Sequence, residues 1–466
     1  MNIKTISYMI VSNTCRAVSI AACISMLFGC SKNASINEDP TPNKPELGPE
    51  KVQVVNVNGR WRLYREGEMF YIRGAAPGAS TYVDDRPDYY YGMLADYGGN
   101  TIRTYGVNEH TQRVLDAAHA NGIAVGFGLY VRREADGFDY DNEELVQQQL
   151  EEFTEVVRQY KDHPALLVWF VGNEAEASYT NLKLWDAVND ICAMIHEEDP
   201  DHPTTAALSN SDPNKIRAII ERAPELDILS INMYAPSLPN VLSNIQSAGW
   251  EKPYMITEFG PRGTWQMNPE PERILEWGAL VEQTSTEKEQ IYRNCFQDHI
   301  LSNINNGCIG SFVFMWGYQT HGAVATWFGL HNSEGRAFGA ADAMQFCWTG
   351  QYPANRAPMI TSREKVLLNG KRAEENIKVI ADSTNHATVL ASDPDGDPLE
   401  YEWLISPEGA VAPDGGPHLG IPGLINSNGA HTVTFTAPSA GTYRLYVYVK
   451  DDHNKVASAV IPFLVE

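Results

Sequence analysis

Two apolar runs in this 466-residue chain each end abruptly in a carboxylate. Ala165-Leu166-Leu167-Val168-Trp169-Phe170-Val171-Gly172 leads into Asn173-Glu174, and Tyr254-Met255-Ile256-Thr257 leads into Glu258-Phe259-Gly260. His163-Pro164 introduces the first and Lys252-Pro253 the second. Runs this rich in branched and aromatic residues read as strands covered on both faces, as a parallel sheet requires. Two carboxyls brought to one place can divide labour on a glycosidic bond. One keeps its proton and donates it to the leaving oxygen, while the other stays ionised and attacks the anomeric carbon. At about 5 Å apart they resist being ionised together, and a cation beside one of them separates the two jobs further. Arg103, in Asn100-Thr101-Ile102-Arg103-Thr104-Tyr105, is the candidate cation.

Such groups meet only if strand ends gather them. Strand candidates run Phe70–Ala75, Thr101–Tyr105, Ile123–Tyr130, Ala165–Val171, Thr204–Leu208, Ile228–Met233, Tyr254–Thr257 and Ile309–Trp316. Between them lie segments of helical periodicity, including Glu109–Asn121, Glu143–Tyr160, Leu182–Glu197 and Thr286–Asn305. Eight strand–helix units predict an α/β fold, a (β/α)8 TIM barrel, whose function sits at the strand C-termini. An open doubly wound sheet would carry a glycine-rich phosphate turn after its first strand, and none is present. A hairpin marked by Asn58-Gly59 and Glu66-Gly67 precedes the barrel. Pro261–Thr284 and Tyr318–Gly350, read as irregular, leave strand C-termini and should wall the cleft with Trp265, Trp327, Phe328 and Trp348.

In its order of strands and end residues, the stretch from about 70 to 350 resembles the catalytic barrel of clan A retaining glycoside hydrolases, including glycoside hydrolase family 2 without its usual N-terminal sandwich domains. The resemblance rests on Asn173-Glu174 after strand four, Glu258 after strand seven, Arg103 after strand two, Tyr234 after strand six and Trp316 ending strand eight. It implies Glu174 as acid/base, Glu258 as nucleophile and Asn173 as donor to the sugar 2-hydroxyl. It further implies that Tyr234 bonds the nucleophile and that Trp316 forms the floor under the sugar, where pyranose C–H groups pack on a π-face. Tyr105, Tyr130, Asn108, Arg132, Arg133, Trp265 and Trp327 are subsite candidates, as are His321 and His331 in the last loop. Glu176 lacks a preceding Asn and reads as loop or subsite. His163 and His202 precede prolines at strand starts, on the stability face.

Thr257-Glu258-Phe259-Gly260 and the compact barrel resemble β-1,3-glucan-active enzymes, so laminarin cut internally is the expected substrate. A β-mannan, β-galactan or β-1,4-glucan would leave the same catalytic residues. Transglycosylation, in which a sugar hydroxyl replaces water, is a second reading. A surface glycan-binding protein with a dead barrel is a third, and it predicts loss of a carboxylate that is here present. The chain contains no G-x-S-x-G elbow, H-E-x-x-H pair or phosphate loop, and no organic cofactor is implied.

With 35 Lys and Arg against 59 Asp and Glu, the net charge of −24 argues against nucleic acid or an anionic membrane surface as partner and for a neutral one. A monomer is expected. Residues 1–30, with Lys4, Arg16 and the apolar Ala17–Gly29, read as an export signal too short to span a membrane. Leu27-Phe28-Gly29-Cys30 resembles a bacterial lipoprotein box, which implies a lipid anchor on Cys30, a tether over 31–50 and an outer-membrane location; an ordinary cleaved signal is the alternative. Cys192, Cys295, Cys308 and Cys347 fit no zinc spacing, and their three possible pairings stay open. The barrel with its hairpin is assigned to 51–353. A second domain, 354–466, follows the proline-bearing linker Gln351–Ala357 and resembles immunoglobulin-like modules, with short strands such as Thr432–Thr436 and Tyr443–Val449. Its turn Asp393-Pro394-Asp395-Gly396-Asp397 either holds calcium through the three aspartates or caps backbone amides.

Overall fold

The structure, a computed structural model, describes residues 45, 47–77, 86–319, 325–409, 420–426 and 428–466. The expected export signal, Cys30, most of the tether and His321 lie outside the described residues. Eight parallel strands close into a barrel: Ile72–Ala76, Thr101–Arg103, Ala124–Leu129, Leu166–Asn173, Thr204–Leu208, Ile228–Asn232, Tyr254–Phe259 and Cys308–Phe314. Strands four to eight are apolar along most of their length because helices cover the outside and packed side chains fill the inside. In front of the barrel, Val52–Val57 and Arg60–Arg65 pair antiparallel across the Asn58-Gly59 turn.

The helix Glu143–Tyr160 starts where Asn142 Oδ1 accepts the amides of Glu144 and Leu145 at 3.1 and 3.3 Å. Ser285–Asn294 begins with a reciprocal cap, since Thr284 and Glu287 each accept the other's backbone N–H. It then widens over Cys295–Ile300 and tightens over Leu301–Asn306 before Gly307.

The stretch Tyr318–Gly350 is not irregular throughout. Gly339–Thr349 is a helix that packs against Ser285–Asn294. Its first six residues, Gly339-Ala340-Ala341-Asp342-Ala343-Met344, are all buried, so no polar face betrays a 3.6-residue period. Trp348, expected in the cleft wall, lies on this helix and is 2% exposed.

C-terminal to the barrel, Val366–Leu368, Thr384–Val389 and Thr432–Thr436 form one sheet, and Lys378–Val379, Val456–Val465, Gly441–Lys450 and Glu400–Pro407 another. Leu368, Val433 and Phe435 from the first meet Trp403, Val447 and Phe463 from the second in one apolar core. Leu275, Ala279 and Val281, from the loop after barrel strand seven, enter that same core. Barrel and sheets belong to one compact unit, and the cleft-side loop is rooted in the sheets. Cys192, Cys295, Cys308 and Cys347 are free and buried, and burial pushes each thiol up to about 12. Among the described residues no helix is long and apolar enough to cross a membrane.

Candidate active site

Arg103, fully buried at the end of strand two, organises the barrel mouth. Its guanidinium donates to Asn173 Oδ1 at 2.8 Å, Thr257 O at 3.0 Å and Asn232 Oδ1 at 3.3 Å. It lies 3.6 Å from Glu258 Oε1 and 4.6 Å from the ring centres of both Tyr105 and Phe170. A planar fork with this many donors can bind strands four, six and seven at once.

Asn232 is the residue that sequence reasoning passed over. Its amide nitrogen donates to Glu174 Oε1 at 2.8 Å and to Asn173 Oδ1 at 3.1 Å, while its oxygen accepts the Thr257 hydroxyl at 2.8 Å. The available signal was its spacing two residues before Tyr234, which places both on one side of an extended chain. Glu174 itself has φ 51°, in the left-handed region, and its N–H donates to Ala207 O at 2.7 Å. Strain of this kind, of order 1–3 kcal/mol for a non-glycine residue, collects at functional sites.

Glu258 is 6% exposed and receives the Tyr105 hydroxyl on Oε1 at 3.0 Å and the Tyr234 hydroxyl on Oε2 at 2.7 Å. Burial drives its pKa up, Arg103 opposes that, Glu174 raises it again and the two phenols lower it, leaving it at about 7. Every polar neighbour just named, Glu174 excepted, is a donor that solvates the charged form. If catalysis needs that form, activity rises with pH through an apparent value near 7, which belongs to the pair rather than to one residue. Tyr234→Phe removes one donor to the carboxylate, so the acid limb of kcat/KM moves to higher pH. A pH–rate profile checks this, and a limb that stays put or moves down contradicts it.

Glu174, Asn232 and Tyr234 line a cleft of about 350 Å³ together with Ser209, Asn210, Asn240, Asn244 and Trp265. Trp265 is 64% exposed and stands edge-on to Tyr234 at 5.4 Å. Glu174 and Asp212 are the charged groups on this lining among the described residues.

Several expected contacts do not reach the cleft. Trp316 is fully buried, donates its indole N–H to Tyr90 O at 2.9 Å and packs on His331 and Tyr97, so it is not a sugar floor. Trp316→Ala therefore costs about 3–5 kcal/mol of stability through the cavity it leaves, read as a lowered denaturant midpoint. Trp327, 2% exposed, donates to Arg262 O at 2.8 Å beneath the Arg273 guanidinium and is likewise packed away. His331, 1% exposed, accepts the Gly317 N–H, and burial followed by the Lys455 charge lowers its pKa to about 3, so it does not face sugar. Tyr130 and Arg133 both bind Asp136, Arg132 binds Glu152, and Asn108 caps the turn before Thr111; none joins the network around the carboxylates. Glu176, 1% exposed, accepts the Ser209 amide and hydroxyl and the Lys215 ammonium, tying two loops together. His163 and His202 pair with Asp116 and Asp199 at the opposite end of the barrel.

Residues 105–268 match the family model described as "Glycosyl hydrolases family 2, TIM barrel domain", a stretch that contains both Glu174 and Glu258. None of the curated protein sequences compared with the chain matches it. Similar solved structures include an FMN-binding beta-glucuronidase from Facaelibacterium prausnitzii L2-6, at 16% identity and TM-score 0.48 over 89% of this chain and 59% of that one. A beta-glucuronidase from an uncultured Clostridium sp. is 17% identical with TM-score 0.47, over 65% of this chain and 54% of that one. Another, from Bifidobacterium dentium and complexed with coumarin-3-O-glucuronide, is 17% identical with TM-score 0.47, over 65% and 50%. The chain thus spans between half and three fifths of the length of these structures.

Proposed function

We propose that this chain is a retaining β-glycoside hydrolase that cuts a neutral β-linked polysaccharide internally, with β-1,3-glucan such as laminarin as preferred substrate. The observation that carries the reading is the unequal treatment of two carboxylates: Glu258 is held by two phenols beside a guanidinium, while Glu174 faces the cleft bonded to a neutral amide. In the first step a Glu258 oxygen attacks the anomeric carbon, the glycosidic C–O bond breaks, and the Glu174 proton passes to the departing oxygen. In the second, Glu174 takes a proton from water, the water oxygen attacks the same carbon, and the bond to Glu258 breaks. Both carboxyls return to their starting states.

The neutral substrate is favoured by the lining. Hydroxyls and amides from Ser209, Asn210, Asn240 and Asn244 surround the exposed Trp265 plane, and no Lys or Arg lines the cleft among the described residues to pair a uronate. The β-1,3 linkage rests on the resemblance of the run around Glu258. The test is a panel of β-1,3-, β-1,4- and mixed-linked glucans, β-mannan, β-galactan and an aryl β-glucuronide, with product lengths followed over time. Mid-sized oligosaccharides released first from laminarin support the proposal. Turnover of the glucuronide alone overturns it. The segment ending in Cys30 adds a proposed outer-membrane lipid anchor, for which Cys30→Ser should abolish palmitate incorporation in cells and release the protein from membranes.

A further inference from the structure

A second group of carboxylates converges far along the chain from the catalytic pair. One carboxylate oxygen from each of Asp393, Asp397 and Asp451 lies within 4.8 Å of the others. Asp393 and Asp397 belong to the turn before Glu400–Pro407, and Asp451 to the turn between Gly441–Lys450 and Val456–Val465. Asp393 uses Oδ1 to accept the amides of Asp395, Gly396 and Asp397, at 2.8 to 3.1 Å. That is the capping role expected of such a turn, and it leaves Oδ2 buried with no partner. Asp451, 5% exposed, repeats the pattern: Oδ1 accepts the His453 and Lys455 amides at 2.9 and 2.8 Å, and Oδ2 is buried with no partner. Asn355 donates its amide nitrogen to Asp397, and its oxygen too is buried and unpartnered.

The surrounding cations are engaged elsewhere. Lys455 Nζ goes to Asp342 and Tyr97, Lys450 to Glu334 and Glu402, and the Arg336 side chain to Glu334 and the Asp451 carbonyl. His453, half exposed, approaches Asp397 at 3.4 Å and divides its ring nitrogen with Asp452. Two carboxylates, Asp393 and Asp451, and the Asn355 amide each keep a buried oxygen with no partner, which costs about 1–3 kcal/mol for each unmet acceptor. A divalent cation removes that cost. Oxygen donors at 2.3–2.6 Å are what calcium takes, and two oxygens each about 2.4 Å from one ion lie at most about 4.8 Å apart. The donor set holds no sulfur and no required nitrogen, which disfavours zinc.

We propose that Asp393, Asp397 and Asp451, with the Asn355 amide oxygen, bind one calcium ion. Asp395, the third aspartate of the turn, is not a ligand: it stands outside the converging group and turns its Oδ2 to the Arg356 amide at 2.7 Å. The ion joins three segments remote in sequence: the exit from the last barrel helix, the aspartate turn and the turn at Asp451. The last of these is fastened to the barrel through the Ala337–Lys455 bridge and the Lys455–Asp342 pair. Calcium therefore holds the C-terminal sheets onto the barrel.

The test is calorimetric titration of the EDTA-treated full chain with calcium chloride, and separately with magnesium chloride. The expected result is one calcium per chain with a dissociation constant below about 1 mM and weaker magnesium binding. At a hundredfold excess over that constant, calcium raises Tm by roughly 3 °C. Asp451→Asn keeps Oδ1 for the two backbone amides but replaces Oδ2 by a donor, so calcium affinity falls at least tenfold. Asp393→Asn makes the same change from the other turn, should the first variant be poorly folded. Absence of calcium binding, a preference for magnesium, or unchanged affinity in the folded variants overturns the assignment.

Discussion

Replacing Glu258 by Ala lowers kcat by roughly five orders of magnitude or more, the scale seen when an enzymatic nucleophile is removed. Substrate binding survives, because Glu174, Asn232, Tyr234, Trp265 and the other groups that line the cleft are untouched. The loss is chemical. Arg103, Tyr105 and Tyr234 aim donors at a position that no longer holds an oxygen, and water there has neither the charge nor the fixed approach to the anomeric carbon. The vacated space admits a small anion, so azide should restore part of the rate and give a glycosyl azide of configuration opposite to the substrate's. Steady-state kinetics on an aryl β-glycoside, with the azide product analysed by NMR, checks both points. Activity within tenfold of the parent enzyme would remove Glu258 from the mechanism.

Glu174→Gln has a different signature. Gln keeps an oxygen for the Asn232 amide and the volume of the side chain, so the geometry around Arg103 persists while the transferable proton is lost. General acid catalysis is worth about 10²–10⁴, and that factor disappears from kcat/KM on a polysaccharide whose leaving alcohol needs a proton. A dinitrophenyl glycoside leaves without one, so its first step is nearly unaffected while the second, lacking a base, slows. KM for that substrate therefore falls with kcat, and azide, which needs no base, accelerates turnover and gives a product of retained configuration. Equal loss on both substrates would show that Glu174 is not the acid/base.

The fold was legible where burial imposes a pattern. Barrel strands four, seven and eight are apolar runs, and Thr204–Leu208 is found with the ends read from sequence. Glu174 and Glu258 stood out because a charge ending a buried run is costly unless it is used. What escaped reading lies where the same burial erases the pattern. The helix Gly339–Thr349, covered early on every side, carries no amphipathic period. An aromatic residue looks alike in sequence whether it faces sugar or core, so Trp265 is an exposed platform while Trp316 and Trp327 are packed inside. Asn232 is a single amide at a strand end, and its four partners come from other strands. Asp451 meets Asp393 and Asp397 only because the sheets fold them together.

The central claim is that Glu258 forms a covalent glycosyl intermediate which Glu174 then helps water to resolve. Following the anomeric proton of the newly formed reducing end by NMR in the first minutes of hydrolysis, before mutarotation, tests it most directly. The account predicts that the β-anomer appears first and the α-anomer grows in only as the two equilibrate. Initial release of the α-anomer would contradict it.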